Sequence, residues 1–67
     1  MRNRDVTPRQ VEVMQMVAND YATAEIGRRL GVGARTVQVH IQSVLYRTHT
    51  HSRAAAVACL MRQGKVR

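Results

Sequence analysis

Apolar residues recur along this chain at spacings of three and four in separate runs, and no stretch alternates apolar with polar residues as a strand would. The elements expected are helices. The first run holds Val13, Met14, Val17 and Ala18, behind a strong helix start. Thr7 can cap, Pro8 takes the first helical position, Gln10 stands where a capping box needs its third helical residue, and Val6 with Val11 completes a hydrophobic staple. Asn19 and Asp20 tolerate left-handed backbone and end this helix before Tyr21.

The second and third runs are closely coupled. Ala24, Ile26 and Leu30 mark a short helix, Gly31 supplies the left-handed residue that ends it, and Val32 can plug the corner. Gly33 is an acceptable N-cap for a third helix from Ala34 through Leu45, reaching about residue 47 as a recognition element. Helices joined by so short a turn cross steeply, and Gly27 has no side chain to block their approach. The pattern is a helix-turn-helix. A fourth run follows Thr48-His49-Thr50-His51, where Ser52 can cap a helix over Arg53 to Arg62 that Gly64 stops. Ala56, Val57, Leu60 and Met61 suit its core side. Ala55, Ala58, Cys59 and Arg62 lie opposite, small and unusually apolar for solvent, and two readings of that side stand. It is a self-associating face, or its alanines are there as good helix formers. The fold class expected is all-α, a tri-helical helix-turn-helix domain with a C-terminal dimerisation helix. Residues 1–5 read as a flexible start, 6–64 as the domain and 65–67 as a basic tail.

The third helix carries the chemistry. At 3.6 residues per turn, Val37, Ile41, Val44, Leu45 and Thr48 share one side, while Arg35, Gln38, Val39, Gln42, Ser43 and Tyr46 share the other. The second side has no acidic residue. Gln pairs bidentately with adenine, Arg with guanine, and a small apolar group such as Val39 meets a thymine methyl. An ordinary solvated helix face also fits that pattern when it is taken alone.

Charge shifts the balance toward a polyanion. Eleven Lys and Arg stand against four Asp and Glu, a formal net charge of +7 on 67 residues, and the cations are spread through the chain rather than gathered in a tail. Other classes recede. The single Cys59 rules out an intrachain disulfide and a multi-cysteine zinc site, and it fits a reducing cytoplasm. No apolar run approaches the ~20 residues that cross a bilayer, so no membrane partner is expected. Two tyrosines are the whole aromatic content, too little for a stacking platform for single strands. His49 and His51 lack a carboxylate or thiolate at ligand spacing, so no metal is expected, and His40 reads as a packed residue beside the recognition face. The scattered carboxylates make no acid/base pair. No nucleophile or phosphate loop is present, and the chain reads as no enzyme and as holding no cofactor.

At family level, Val6-Thr7-Pro8-Arg9-Gln10-Val11-Glu12-Val13-Met14, Glu25-Ile26-Gly27-Arg28-Arg29-Leu30-Gly31-Val32 and Thr36-Val37-Gln38-Val39-His40-Ile41 resemble the LuxR/GerE-type DNA-binding domain. That family's usual pattern runs LTPRE-x-EVL, EIA-x-x-L-x-I and TV-x-x-H, and Ser52-Arg53-Ala54-Ala55-Ala56-Val57-Ala58 is similar to its SR-x-x-AV segment. The resemblance spans about residues 6 to 64 without a gap, and it is greatest to the stand-alone GerE type, which carries neither receiver nor ligand-binding domain.

The resemblance implies a four-helix domain whose third helix enters the major groove and whose fourth supports dimerisation. It implies base-facing Gln38, Val39 and Gln42, backbone contacts from Arg35 and Thr36, and phosphates near Arg28 and Arg29; Ser43 and Tyr46 join the backbone set from the same helix side. With the small-residue side of the fourth helix as the self-associating face, the dimer interface expected is Ala55, Ala58, Cys59 and Arg62. The chain departs from the family at Gln38 and Gln42, often Lys or Arg, which leans its preference toward adenine. Gln10 replaces a usual Glu, Ala22 a usual Ser or Thr cap, and Thr48-His49-Thr50 a typical Leu-Gly-Val.

The function expected is a sequence-specific, double-stranded DNA-binding transcriptional regulator acting as a homodimer on an inverted repeat in the cytoplasm. Two alternatives are a protein-interaction module docking on RNA polymerase or another regulator, and a small basic RNA-binding protein.

Overall fold

The computed structural model describes residues 6–67, and among them it has four helices and no strand: α1 Pro8–Ala18, α2 Thr23–Leu30, α3 Ala34–Thr48 and α4 Arg53–Arg62. The flexible start expected over residues 1–5 lies outside the described residues. The start of α1 is the capping box that its sequence implies. Thr7 Oγ accepts from the Gln10 amide at 3.1 Å, and the Gln10 carboxamide oxygen accepts from the Thr7 amide at 3.0 Å. Gln10 is also buried, at 6% exposure, so one side chain both caps α1 and packs inside.

Left-handed residues follow all four helices: Asp20, Gly31, His49 and Gly64. After α1 the Asp20 amide donates to Val17 and the Tyr21 amide to Met16. After α4 the Gly64 amide donates to Met61 and the Lys65 amide to Leu60. These are the paired bonds of a Schellman stop, which use up carbonyls that a helix end would otherwise leave bare.

The core gathers Val13 and Met14 of α1, Ile26 of α2, Val37, Ile41 and Val44 of α3, and Ala56 and Leu60 of α4. Helix α3 packs against the other three, so its apolar row is fixed from several directions. Three expectations need correction. Ala24 is exposed, because it stands two positions before Ile26 and so on the opposite side of α2; the buried partner of Ile26 is Gly27. Met61 is 46% exposed, at the edge of α4 rather than inside. Val66, read as part of a basic tail, is 3% exposed and belongs to the core, carried there by the turn at Gly64.

Candidate nucleic-acid interface

The α2–α3 corner sets how α3 is presented. Gly31 has φ 73°, the Val32 amide donates to the Gly27 carbonyl at 2.9 Å, and Gly33 begins α3 with extended backbone and no side-chain cap. Burial of Val37, Ile41 and Val44 fixes the rotation of α3 about its axis. Its other side must then face outward, and Val39 at 56% and Tyr46 at 83% exposure are large side chains that no core contact accounts for.

Arg35, Gln38, Val39, Gln42, Ser43 and Tyr46 line one shallow concavity, together with Arg47 and Arg53. Among the described residues no acidic side chain lines it. Thr36 is exposed beside it at the start of α3. Arg47 and Arg53 were not foreseen as site residues. Arg53 comes from the first turn of α4, and its guanidinium reaches Thr23 Oγ at the start of α2 at 3.4 Å. The short link 49–52 was the available signal, since it obliges α4 to begin beside the end of α3.

Arg28 and Arg29 lie elsewhere. Both bind the Glu25 carboxylate, Arg29 at 2.9 Å, and these hydrogen bonds, Arg28 first, hold the Glu25 carboxyl below its ordinary range. The Arg29 guanidinium also covers the Tyr21 ring, 4.5 Å from its centroid. Arg29 lines a separate cleft with α1 and residues 64–67, which shares no residue with the concavity on α3. The structure therefore brings Arg35, Gln38, Val39, Gln42, Ser43 and Tyr46 together and leaves Arg28 and Arg29 outside their concavity.

On α4, Ala55, Ala58 and Arg62 are exposed, while Cys59 is half-buried with its sulfur accepting from Gln63 Nε2 at 3.5 Å. Ala58 also belongs to a largely apolar groove between α1 and α4, with Val17, Ala18, Ala54, Val57 and Met61, and Arg53 lines this groove as well as the α3 concavity. His49 caps the end of α3, and among the described residues no three His, Cys, Asp or Glu side chains gather as a metal site would require. No helix among the described residues is long and apolar enough to cross a membrane.

Comparison with known proteins shows the family and the fold. The family described as bacterial regulatory proteins, luxR family (GerE), matches residues 5–60. The spore germination protein GerE of Bacillus subtilis is 31% identical over 61 residues, covering 91% of this chain and 82% of that protein. A nitrate/nitrite response regulator homolog of Haemophilus influenzae is 30% identical over 60 residues and DegU of Brevibacillus brevis 29% over 62, covering 90% and 92% of this chain. The chain spans only 29% and 26% of the length of those two relatives. The solved structure of the transcription factor GerE superposes with a TM-score of 0.88 at 30% identity, covering 91% of each chain.

Proposed function

Because the chain belongs to the luxR family of bacterial regulatory proteins, a family of DNA-binding transcription regulators and not of enzymes, we propose that it reads duplex DNA through the outer side of α3, as a dimer on an inverted repeat. The observation that carries this reading is the acid-free concavity on α3, where two carboxamides and an exposed valine are rimmed by Arg35, Arg47 and Arg53. Gln38, Val39 and Gln42 take base edges. Arg35, Thr36, Ser43 and Tyr46 take the sugar-phosphate backbone, with Arg47 and Arg53 added on the α4 side. Arg28 lies outside that set, and Arg29 faces another cleft. Reading DNA in a bacterial cell places the protein in the cytoplasm.

A half-site read by one α3 holds too little information for a unique address in a genome, which is the argument for two copies. Pairing through α4, around Ala58, sets two copies of α3 about one helical turn apart on one DNA face. Selection from a random duplex pool, followed by footprinting and mass measurement of the complex, tests the proposal. An inverted repeat holding two chains is expected. A saturated one-to-one complex on a non-palindromic site refutes the dimer, and equal competition by RNA or by unrelated duplex refutes sequence-specific reading. Docking on RNA polymerase gains support only if duplex binding fails while the polymerase retains the protein.

A further inference from the structure

The cleft that takes Arg29 away from α3 combines apolar and cationic side chains with the polar Gln15 and Asn19 and the acidic Glu12. Its floor is apolar and half-buried: Val11 and Met16 of α1, with Tyr21 from the following turn. Its rim is cationic: Arg29 on one side, Lys65 and Arg67 on the other. We propose that this cleft docks an acidic amphipathic helix of a partner protein, a role that goes beyond DNA reading and does not rest on it.

The backbone that carries two of the rim cations is held in place, and the third cation is fixed through its own guanidinium. Val66 is sunk in the core, which leaves Lys65 and Arg67 exposed on either side of it. The Lys65 amide is tied to Leu60 at 2.9 Å. The Gln15 carboxamide clasps Arg67 by two backbone bonds, accepting from its amide at 2.9 Å and donating to its carbonyl at 3.4 Å. Opposite, Arg29 is fixed over Tyr21 and against Glu25. The Arg29 guanidinium and the backbone under Lys65 and Arg67 are therefore already in position, which lowers the ordering cost that a partner helix meets. Among the described residues that line the cleft Glu12 is the acidic one and is paired with Arg9 at 3.5 Å, while Arg29 is paired with Glu25, so the positive balance rests on Lys65 and Arg67.

Charge alone would suit DNA as well. The floor decides between them, because a sugar-phosphate backbone gains nothing from Val11 and Met16, whereas leucines spaced three and four apart on a helix bury against them, beside the Arg29-covered Tyr21 ring, while flanking glutamates meet the rim. Since the cleft shares no residue with the concavity on α3, one chain can hold DNA and such a helix together.

The test uses the full chain, isotope-labelled, titrated in solution with a designed leucine/glutamate amphipathic peptide of about 14 residues, long enough to become helical on binding. A second peptide has each leucine replaced by serine. The expected result is saturation at one-to-one with amide shifts at Gln15, Met16, Tyr21 and Lys65, and about tenfold weaker binding of the serine peptide. The double substitution Lys65→Glu with Arg67→Glu should weaken the leucine peptide by about tenfold or more. Arg29→Gln gives an independent reading from the other rim, expected near fivefold, should the double variant not fold. Shifts centred on Gln38 to Tyr46, equal binding of the two peptides, no binding, or the same cleft amides responding to duplex DNA each overturn the proposal. Failure of DNA reading at α3 would leave the peptide result unchanged, so the two outcomes are separable.

Discussion

Gly27 and Val32 meet backbone to backbone: the Val32 amide donates to the Gly27 carbonyl at 2.9 Å, and a Cβ on Gly27 would lie 2.6 Å from the Val32 carbonyl oxygen. This contact sets the α2–α3 crossing, so a side chain here moves the reading helix as well as the core. Gly27→Ala recovers about 1 kcal/mol of helix propensity and loses about 1–3 to the displaced corner. Gly27→Val adds a branched group with no space. The stability order Gly, Ala, Val, from urea unfolding, checks the contact. Stability rising from Gly to Val would show that the corner yields freely.

His49 ends α3 in the left-handed region at φ 58° without being glycine. The neighbouring amides of His49 and Thr50 donate to Tyr46 and Leu45, and this is the same stop that Gly64 makes after α4. An L-residue in that conformation costs about 1 kcal/mol that glycine escapes. His49→Gly should therefore raise stability by about 0.5–1 kcal/mol, less whatever glycine adds to the entropy of the unfolded chain. A destabilised variant would mean that the imidazole itself holds the turn.

Glu25 gives the fold an acid-sensitive element. Hydrogen bonds from Arg28 and then Arg29 keep its carboxyl ionised below the ordinary 4.5. A carboxylate whose folded value is depressed contributes stability that is complete above its unfolded value and is lost as pH falls through the folded one. The melting temperature of Glu25→Gln should fall below that of the unsubstituted protein at neutral pH, by a small amount because the side chain is 32% exposed and solvent screens its charge. The two curves should converge in acid, below 4.5. Parallel curves down to strong acid would show that the Arg28 and Arg29 contacts do not persist in solution.

The helices were legible because each carries its own local punctuation. Thr7 with Gln10, Gly31 and Ser52 act within a few residues of themselves, and the structure uses all of them as caps or stops. Side assignment on α3 was legible for the same reason, since one long periodic row of Val37, Ile41 and Val44 fixes everything opposite. The errors came from non-local packing. Val66 is a lone apolar residue among polar ones, and only the turn at Gly64 folds it back onto α1. Arg29 is drawn to Tyr21 and Glu25, near neighbours in sequence, and lines a cleft apart from the α3 concavity, so its contact with phosphate is left to the salt titration below. Arg53 joins the α3 concavity through the placement of α4, which no pattern around α3 reports.

Base and backbone contacts should separate cleanly in DNA binding. Gln38→Ala and Gln42→Ala should each weaken the selected site by about 1–3 kcal/mol per chain and relax one base position per half-site. Arg35→Gln and Arg53→Gln should instead lower affinity for every duplex and reduce the salt slope by about one unit each. Arg29→Gln should leave the slope unchanged, being in the other cleft. Titrations over a salt series check all five, and a slope change at Arg29 matching that at Arg35 would place DNA across a wider surface than α3.

Assembly turns on the apolar groove between α1 and α4. Ala54, Ala58 and Met61 are exposed on α4 and adjoin Val17 and Ala18 of α1, so the groove includes Ala58 of the small-residue face but not Ala55, Cys59 or Arg62. Pairing two such surfaces removes apolar area from water at about 25 cal/mol per Å², and small side chains let the two α4 helices approach closely. A carboxylate at the centre reverses both gains, because two copies would face each other across the symmetry axis with like charges. Ala58→Glu should therefore abolish cooperative occupation of the inverted repeat while leaving the unfolding midpoint within about 0.5 kcal/mol, the range of surface substitutions. Met61→Glu should act in the same direction. Arg62→Ala, outside the groove, should change cooperativity by less than about twofold. Sedimentation of the protein on full and half operators reads the result: undiminished two-chain occupancy by Ala58→Glu at wild-type concentrations would move the dimer contact off this groove.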